Sequence, residues 1–413
     1  MQVYSKNLNC RFCSGELEEL YDFGEVYLTG VFYGQDEVVP VAPISYSRCV
    51  DCGLNQLSQN YDPAYLYGES YGYESNLNRE MRNHLKRKAN MLQAQYLKHS
   101  KSSVLDIASN DGTFLSYFEN VDYLLGVDPL IDILSDHYPL GANKLKAFFT
   151  ANSVLEFTNG KKFDLVTSNS VLYDIADLKN FVADVKCVLK DDGIWHFEQS
   201  YLPKMVESLS FDTICHEHIL YFGLSQIYAM LYQENFSIVD ISINNVNGGS
   251  IAITAQKNSQ SKGLSSHPYL GFLISKEEKE GYTDGSRLRV FFKDIEKVKT
   301  DLIDLLSRLR DNKYEIFGLG ASTKGNMILQ YCQITSELIS EIGEVNARKF
   351  GKLTPGSRIP IVEESDLLSR VNAAKSAGIV LPWHFRDSIR TSCSEFLDQG
   401  GKLIYPLPRL ELE

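Results

Sequence analysis

The sequence predicts an α/β protein with two open, mostly parallel sheets behind a small N-terminal unit that carries cysteines. Three observations predict this organisation. Two CxxC pairs fall within the first 52 residues, a buried strand at 103–108 enters a small-residue turn, and a strand at 314–317 enters a glycine-containing loop. A strand, a tight loop and a helix in this order are typical of doubly wound sheets. The 413 residues suffice for two or three domains.

Composition excludes several classes of protein. Hydrophobic residues make up 44% of the chain and charged residues 23%, which is typical of a soluble globular protein. The net charge of −12 disfavours nucleic acid as a partner. The sequence has no apolar run long enough to span a membrane and no apolar signal core at its start, so we expect a cytoplasmic protein with reduced cysteines. The oligomeric state stays open, a monomer included.

The first two cysteine pairs predict a zinc site. Cys10 and Cys13 form one CxxC pair, and Cys49 and Cys52 form the other. Each pair can turn two thiolates toward one ion, and we expect a small β insertion between the pairs. Because sulfur would fill all four positions, the metal should be structural. The alternative is two unrelated redox or core pairs.

The first strand of the central unit ends in a loop that is acidic instead of glycine-rich. Phosphate-binding loops bring backbone amides onto an anion, whereas Asp106 and Asp111 would repel a pyrophosphate. A second strand, 123–127, ends in Asp128, which can accept hydrogen bonds from a ribose. Further strands at 163–167 and 193–197 complete the unit. The pattern favours S-adenosylmethionine, which carries no phosphate, over a nicotinamide dinucleotide. The predicted donor-binding residues are Asp106, Ala108, Ser109, Asn110, Asp111, Gly112, Asp128, Pro129, Phe149, Ser168 and Asn169.

Two helices are predicted from apolar residues at helical spacing, over 77–96 and 286–312. Basic residues on the first helix fall mostly opposite its apolar side and predict a solvated face; they are Arg79, Arg82, Lys86, Arg87 and Lys88. An aromatic loop that contains Tyr71 and Tyr73 precedes this helix. We also expect residues 114–118 to begin a helix after the acidic loop.

After the fourth strand, Glu217 and His218 lie between two aromatic stretches and could form a general base with its helper. Two alternatives remain. His216 and His218 would point the same way on a strand and could share a metal, or the segment could only pack on the core. Further along, the glycine-containing loop 318–326 carries Lys324 where a helix opens, which suits a phosphate. The glycines could instead only permit the tight turn.

The motifs together resemble the sugar C-methyltransferases, which act on nucleotide-linked 4-keto-deoxysugars. The matching motifs are the paired CxxC, D-I-A-S-N-D-G at 106–112, F-D-x-I-x-x-E-H at 211–218, G-x-G-A-x-x-K-G-N at 318–326, K-F-G-K-L-T-P-G at 349–356 and L-P-W-H-F at 381–385. The resemblance covers nearly the whole chain. It implies a zinc-binding domain over 1–72, a class I S-adenosylmethionine methyltransferase domain over 73–255, and a C-terminal Rossmann-like α/β domain that binds the nucleotide sugar over 256–413.

The resemblance also implies roles for individual residues. His218, oriented by Glu217, would remove the proton at C3 next to the C4 ketone, and the enolate would attack the sulfonium methyl. The implied catalytic residues are His218, Glu217, Tyr71, Tyr73 and Glu198. The implied substrate-binding residues are Lys324, Ser322, Lys349, Lys352 and Trp383.

The sequence departs from the family at two positions. Relatives carry a tyrosine where this chain has Cys215 and a histidine where it has Asp174. The tyrosine is the expected hydrogen-bond donor to the enolate oxygen, and a thiol is a poor replacement. Methylation of a sugar hydroxyl therefore stays an alternative, as does a non-catalytic binding protein that keeps the fold.

Overall fold

The computed structural model describes residues 3–68, 71–97, 101–258 and 267–413. The strands in these ranges are β1 (Tyr4–Lys6), β2 (Leu17–Tyr27), β3 (Val41–Cys49), β4 (Asn55–Leu57), β5 (Gln59–Tyr61), β6 (Ser103–Ile107), β7 (Tyr123–Val127), β8 (Asn143–Leu145), β9 (Phe163–Asn169), β10 (Leu189–Ser200), β11 (Leu220–Tyr221), β12 (Phe236–Asn244), β13 (Ser250–Lys257), β14 (Glu315–Leu319), β15 (Ile342–Glu344), β16 (Ile361–Glu363), β17 (Ser376–Val380), β18 (Lys402–Tyr405) and β19 (Glu411–Leu412). The helices there are α1 (Pro63–Leu66), α2 (Arg79–Tyr96), α3 (Ala151–Phe157), α4 (Leu178–Val188), α5 (Leu202–Glu207), α6 (Leu224–Gln233), α7 (Leu270–Lys279), α8 (Ser286–Asp311), α9 (Thr323–Tyr331), α10 (Glu364–Arg370), α11 (Arg386–Ser392) and α12 (Ser394–Asp398).

The N-terminal sheet has the order β11-β4-β3-β2. The antiparallel hairpin β2–β3 fills the chain between the two CxxC pairs, so the predicted β insertion is confirmed. The fourth strand, β11, comes from much further along the chain and begins two residues after His218. Helix α8 covers this sheet, and the ring of Phe292 stacks on Tyr21 with 4.7 Å between centroids. The sheet therefore holds one end of the segment that carries His218.

The central sheet has the order β12-β13-β10-β9-β6-β7-β8 and is parallel from β10 to β8. Every residue of β6 is buried, as expected for a central strand with both faces covered. The carboxyl ends of β6, β7, β9 and β10 lie at one edge of the sheet, where ligands bind in open α/β folds. The acidic loop and Asp128 follow two of these ends.

The predicted helix after the acidic loop is wrong in extent. Only one 3₁₀ turn forms, over Leu115–Tyr117, because Phe118 takes an extended backbone conformation and ends it. The loop before it is tightly wound, since Ala108, Asn110 and Gly112 all have positive φ angles. The backbone of residues 108–112 therefore forms a tight turn in the protein without ligand.

Helix α2 spans Arg79–Tyr96, and its N-cap, Asn78, accepts hydrogen bonds from the amides of Glu80 and Met81. The prediction that its basic residues lie on a solvated face is wrong for Lys88. That side chain is buried and forms an ion pair with Glu198 at 2.8 Å. A lysine in this position can be buried because a carboxylate from β10 compensates its charge.

The C-terminal sheet has the order β16-β15-β14-β17-β18-β19, parallel except for the last strand. Helix α9 begins at Thr323, directly after the loop that follows β14, and Ser322 caps it. Lys324 is therefore in the first turn of α9. Among the described residues, no helix is both long and apolar enough to cross a bilayer. The domain boundaries at 72/73 and 255/256 remain predictions.

Candidate active site and metal centre

The four N-terminal cysteines converge. The Sγ atoms of Cys10, Cys13, Cys49 and Cys52 all lie within 4.8 Å of one another, with 3.6 Å between Cys10 and Cys52 and 3.4 Å between Cys13 and Cys49. Four thiolates around one tetrahedral zinc at ~2.3 Å would stand roughly 3.8 Å apart. The cluster fits a structural zinc ion, which would bind these four sulfurs and leave no open position for catalysis.

The predicted donor loop presents buried carboxylates. Burial raises the pKa of Asp106 to about 7, although its Oδ1 accepts a hydrogen bond from Thr167 at 2.7 Å. Asp128 accepts hydrogen bonds from the backbone amides of Asn110 and Leu130, at 2.9 and 2.7 Å. A carboxylate still has free lone pairs after two such bonds. Buried acidic groups with free lone pairs fit the ammonium and ribose of S-adenosylmethionine.

Two predicted donor-loop residues also hold a neighbouring segment. Asn110 Oδ1 accepts from the amide of Ser75 at 3.0 Å, and its Nδ2 donates to the carbonyl of Tyr73 at 3.2 Å. Asp111 Oδ2 accepts from the amide of Asn76 at 2.9 Å. The aromatic loop before α2 is thereby attached to the donor loop. This attachment is long-range in sequence, and nothing in the local pattern indicates it.

The other predicted donor residues have structural partners as well. The Ser168 hydroxyl accepts from Trp195 Nε1 at 3.0 Å, and Asn169 Oδ1 accepts from Lys88 at 2.8 Å. The ring of Phe149 packs edge-on against Phe181 at 5.5 Å. Their side chains therefore have partners within the domain, and their role in donor binding stays a prediction, as it does for Pro129 beside Asp128.

We expect Asp128→Ala to weaken S-adenosylmethionine binding by about ten- to a hundred-fold. Removal of a charged hydrogen-bond partner costs about 1.5–3 kcal/mol, and the amide of Asn110 also loses its acceptor. Isothermal titration calorimetry would measure the change in Kd. Asp132→Ala is the matched control, because Asp132 lies one turn further on, is exposed and pairs only with Lys146 among the contacts described. Equal affinities of wild type and Asp128→Ala for S-adenosylmethionine would contradict the predicted role of Asp128 as the acceptor of the ribose hydrogen bonds.

His218 lies at the centre of the second group of predicted residues. It is the one partly exposed residue in the otherwise buried stretch 211–220. Its Nδ1 lies 2.8 Å from the carbonyl oxygen of Thr213, and the ring of Tyr173 packs on it with 4.1 Å between centroids. A carbonyl oxygen can only accept, so Nδ1 carries the proton and Nε2 has a free lone pair.

The expectation that Glu217 orients His218 is wrong. Glu217 Oε2 accepts a hydrogen bond from Thr29 at 3.2 Å, and its Oε1 lies against the α-carbon of Gly30, where a side chain would clash. Adjacent residues on this non-helical segment point in different directions, so Glu217 faces the N-terminal domain while His218 is held by Thr213. The metal alternative is also unsupported, because His216 Nε2 bonds to the Ala42 carbonyl at 3.2 Å, away from His218.

A cluster of buried acidic and phenolic groups surrounds Glu217. The Tyr67 hydroxyl donates to Asp174 Oδ2 at 3.0 Å, and the Tyr67 ring packs against Tyr71 at 5.6 Å. Burial raises the pKa of both Asp174 and Glu217, and Tyr71 is close enough to both carboxyls for their charges to raise its pKa further. Tyr73 lies further out and is 44% exposed. Sequence reasoning identified Tyr71 and Glu217 here but gave Asp174 no role and missed Tyr67.

Lys324 belongs to helix α9 of the C-terminal domain. Its Nζ donates to the carbonyl of Asn247 at 2.6 Å. The charge of Lys324 opposes the burial that raises the pKa of Asp212, and it adds to the burial that lowers the pKa of His218 to about 3. Asp212 also accepts from Trp383 Nε1 at 2.8 Å. Sequence reasoning placed Lys324 near a phosphate and did not predict that its charge also acts on His218, and Asp212 was missed.

Of the remaining predicted substrate residues, Lys349 and Ser322 make contacts within the protein, and Lys352 is half-buried. Lys349 is buried, donates to the Ala321 carbonyl at 2.8 Å and lies 3.6 Å from Glu344. The Ser322 hydroxyl accepts from the Gly325 amide as the cap of α9. These contacts make Lys349 and Ser322 supports of the loop, and substrate contact by any of the three stays a prediction.

Glu198, predicted as catalytic, is held by cations. His84 Nε2 lies 2.7 Å from its Oε1, and Lys88 lies 2.8 Å from its Oε2. Burial would raise the pKa of Glu198, but Lys88 and His84 hold it below its usual range. The carboxylate is therefore ionised and paired, which suits a positioning role better than that of a base.

Comparisons with known proteins match the whole architecture. Residues 10–67 match a zinc binding domain, 73–241 a methyltransferase domain and 245–408 a C-methyltransferase C-terminal domain. The C-methyltransferase NovU of Streptomyces niveus is 26% identical over 405 residues, which are 97% of this chain and 95% of the relative.

Solved structures match less than half of the chain. The N-methyltransferase NodS of Bradyrhizobium japonicum WM9, solved with S-adenosyl-L-homocysteine, has a TM-score of 0.33 and 14% identity, and the match covers 45% of this chain and 90% of NodS. The YcgJ protein of Bacillus subtilis has the same TM-score and 14% identity, and the match covers 42% of this chain and 99% of YcgJ.

The three family matches follow one another in the order of the three sheets and span nearly the whole chain. The donor loop and the cysteine cluster fit the two groups that these domains bind. The protein is an S-adenosylmethionine-dependent methyltransferase whose chain matches, in order, a zinc binding domain, a methyltransferase domain and a C-methyltransferase C-terminal domain.

Proposed function

We propose that the protein methylates a carbon of a nucleotide-linked 4-keto-deoxysugar through an enolate. The observation that carries this proposal is the state of His218. Thr213 fixes its tautomer so that Nε2 is unprotonated, and the low pKa keeps the ring neutral. A neutral imidazole at the partly exposed point of a buried segment suits removal of a proton from carbon.

The proposed reaction needs an acidified C–H bond. A ketone at C4 acidifies the hydrogen at C3, and His218 Nε2 takes that proton while the Thr213 carbonyl holds the ring in place. Bound S-adenosylmethionine, held by the loop 106–112 and Asp128, supplies an electrophilic methyl group. The chain's own contribution is to position the acceptor, exclude water and stabilise charge on the C4 oxygen.

Lys324 supports a nucleotide-linked acceptor. It lies in the first turn of α9, where backbone amides favour an anion, and its half-buried cation lowers the pKa of His218. A diphosphate near Lys324 would offset the positive charge that lowers the pKa of His218. The anionic part of the substrate would thus make the base stronger when the acceptor arrives. The name of the relative NovU, a C-methyltransferase, agrees with carbon as the site of methylation.

The pH profile tests the electrostatic part of this proposal. We expect kcat/KM of the wild type to stay level from pH 7.5 to about 5, because a group with a pKa of about 3 is already unprotonated there. Lys324→Met should shift the acid limb upward but leave it below the ordinary pKa of histidine, because burial, the larger cause of the lowered pKa, remains. An acid limb near pH 6.5 in the wild type would contradict the assigned state of His218.

The acceptor class is tested by product analysis. Mass spectrometry of products from a panel of nucleotide-linked sugars with S-adenosylmethionine should show a gain of one methyl group only on 4-keto members. Matched sugars with a C4 hydroxyl are the control, because they lack the acidifying ketone. Transfer to the hydroxyl sugars alone would favour O-methylation and contradict the proposal.

A further inference from the structure

A buried carboxyl oxygen without a partner belongs to Asp174, the residue that follows Tyr173, whose ring packs on the proposed base. Asp174 Oδ2 accepts from the Tyr67 hydroxyl at 3.0 Å, while Oδ1 has no hydrogen-bond partner within the described residues. An unpartnered buried polar atom is costly, so its presence in a native site calls for a ligand or a function. The mechanism proposed above does not use this atom.

The surroundings of Asp174 favour its neutral form. Burial raises its pKa well above the ordinary value, and the nearby Glu217 carboxyl raises it further, while the Tyr67 hydrogen bond opposes the shift. The titratable groups that face it are phenols, a thiol and a carboxyl: Tyr67, Tyr71, Tyr173, Cys215, Glu217 and Tyr221. A neutral carboxylic acid has an O–H group and can donate a hydrogen bond.

The backbone fixes Asp174 close to His218. Tyr173, its neighbour in the chain, packs its ring on His218 at 4.1 Å and accepts at its carbonyl from the amide of Ile219 at 2.9 Å. Cys215 lies in the same cluster and is fully buried. At position 215 the chain therefore offers a thiol, which is a weak hydrogen-bond donor. The carboxyl group of Asp174, in the same cluster, has an oxygen without a hydrogen-bond partner among the described residues.

We propose that Asp174, as a neutral acid, donates a hydrogen bond from Oδ1 to the carbonyl oxygen of the acceptor and stabilises the enolate. This inference rests on the proposed function. The proton from carbon goes to His218 Nε2, and the C–H electron pair becomes part of the enolate. The enolate carbon then forms the bond to the methyl group, the electron pair of the broken C–S bond stays on sulfur, and the carbonyl re-forms. Asp174 keeps its proton throughout, and His218 releases its proton to solvent.

Two substitutions of Asp174 separate a neutral donor from a carboxylate. Asp174→Ala removes the donor and should lower both methyl transfer and exchange of the acidic hydrogen with deuterated water by about a hundred- to a thousand-fold. Asp174→Asn keeps an N–H donor without a charge and should stay within about tenfold of wild type. Affinity for S-adenosylmethionine should be unchanged in both, which shows that the variants are folded.

The alkaline side of the pH profile gives a second readout. Wild-type activity should fall as pH rises through the raised pKa of Asp174, because the ionised form cannot donate. Asp174→Asn should remove that fall, since an amide does not titrate in this range. Tyr67→Phe is the matched control, because it removes the contact at Oδ2 but leaves the proposed donor at Oδ1.

Three outcomes would overturn the inference. Asp174→Ala could equal wild type, or Asp174→Asn could be as inactive as Asp174→Ala, which would indicate that an ionised carboxylate binds a cation. An alkaline limb that persists in Asp174→Asn would also contradict it. These failures differ from failure of the proposed function, in which the wild type itself neither exchanges nor methylates any 4-keto nucleotide sugar and both proposals fall.

Discussion

His218→Asn is expected to lower methyl transfer by about 10²–10⁴-fold, the usual contribution of a general base. The asparagine amide can still donate to the Thr213 carbonyl, which now lies 2.8 Å from Nδ1. It has no basic nitrogen where Nε2 stands, so the acceptor carbon next to the ketone keeps its proton. Steady-state transfer and hydrogen exchange measured on the same acceptor should fall together.

Binding of the methyl donor is the control for His218→Asn. The donor loop is built around Asp106 and Asp128, and neither contacts His218 among the contacts described. The Kd for S-adenosylmethionine and the melting temperature should therefore remain close to wild type. A variant that keeps more than a tenth of wild-type transfer would show that another group acts as the base.

Cys49→Ser is expected to release zinc and destabilise the N-terminal domain. Structural zinc binding contributes about 10–16 kcal/mol of apparent free energy in zinc fingers, and loss of one sulfur removes a large share of it. Each kcal/mol shifts the melting temperature by roughly 2–4 °C in a domain of 150–250 residues, and by more in smaller ones, so a fall of about 10 °C or more should follow. Metal analysis and thermal unfolding would measure both effects.

The matched control is Cys187→Ser, since Cys187 is an exposed thiol on α4 outside the cluster. It should keep one zinc per chain and the wild-type melting temperature. Native protein that is purified without chelator and contains no zinc would contradict the assignment of the site. So would a Cys49→Ser variant with full zinc content.

Zinc loss should also reduce methyl transfer, although four sulfur ligands leave the metal no open position at which it could take part in the reaction. Strand β11 begins two residues after His218 and pairs with β4 of the cysteine-bearing sheet. Tyr61 of the same N-terminal region packs on the ring of His216 at 4.9 Å. The segment that carries the base therefore depends on a sheet that the zinc ion stabilises.

Local sequence patterns predicted the parts of the site that local geometry determines. The cysteine pairs form tight turns within four residues each, and their thiols converge as predicted. The acidic loop follows a short buried strand, and its positive φ angles at Ala108, Asn110 and Gly112 form a tight turn at the predicted place. The long helix α8 was predicted to within a residue because its apolar face repeats over seven turns.

Other features depend on contacts between distant segments and could not be predicted from spacing. Lys88 is basic at a position that suits a solvated face, yet Glu198 from β10 pairs with it. Glu217 and His218 are adjacent in sequence but face Thr29 and Thr213. The sequence marked Asp174 only as a departure from the family, and its meaning depends on Tyr67 and Glu217, which the fold places beside it.

The most direct test of the central claim follows the atoms of the acceptor. A nucleotide-linked 4-keto-deoxysugar, deuterated at the carbons next to the ketone, is incubated with the enzyme and S-adenosylmethionine that carries a ¹³C methyl group. Carbon methylation through an enolate predicts a product in which ¹³C is bonded to a ring carbon and that carbon's deuterium has been released to water. A product with ¹³C on oxygen and both deuterium positions intact would contradict it.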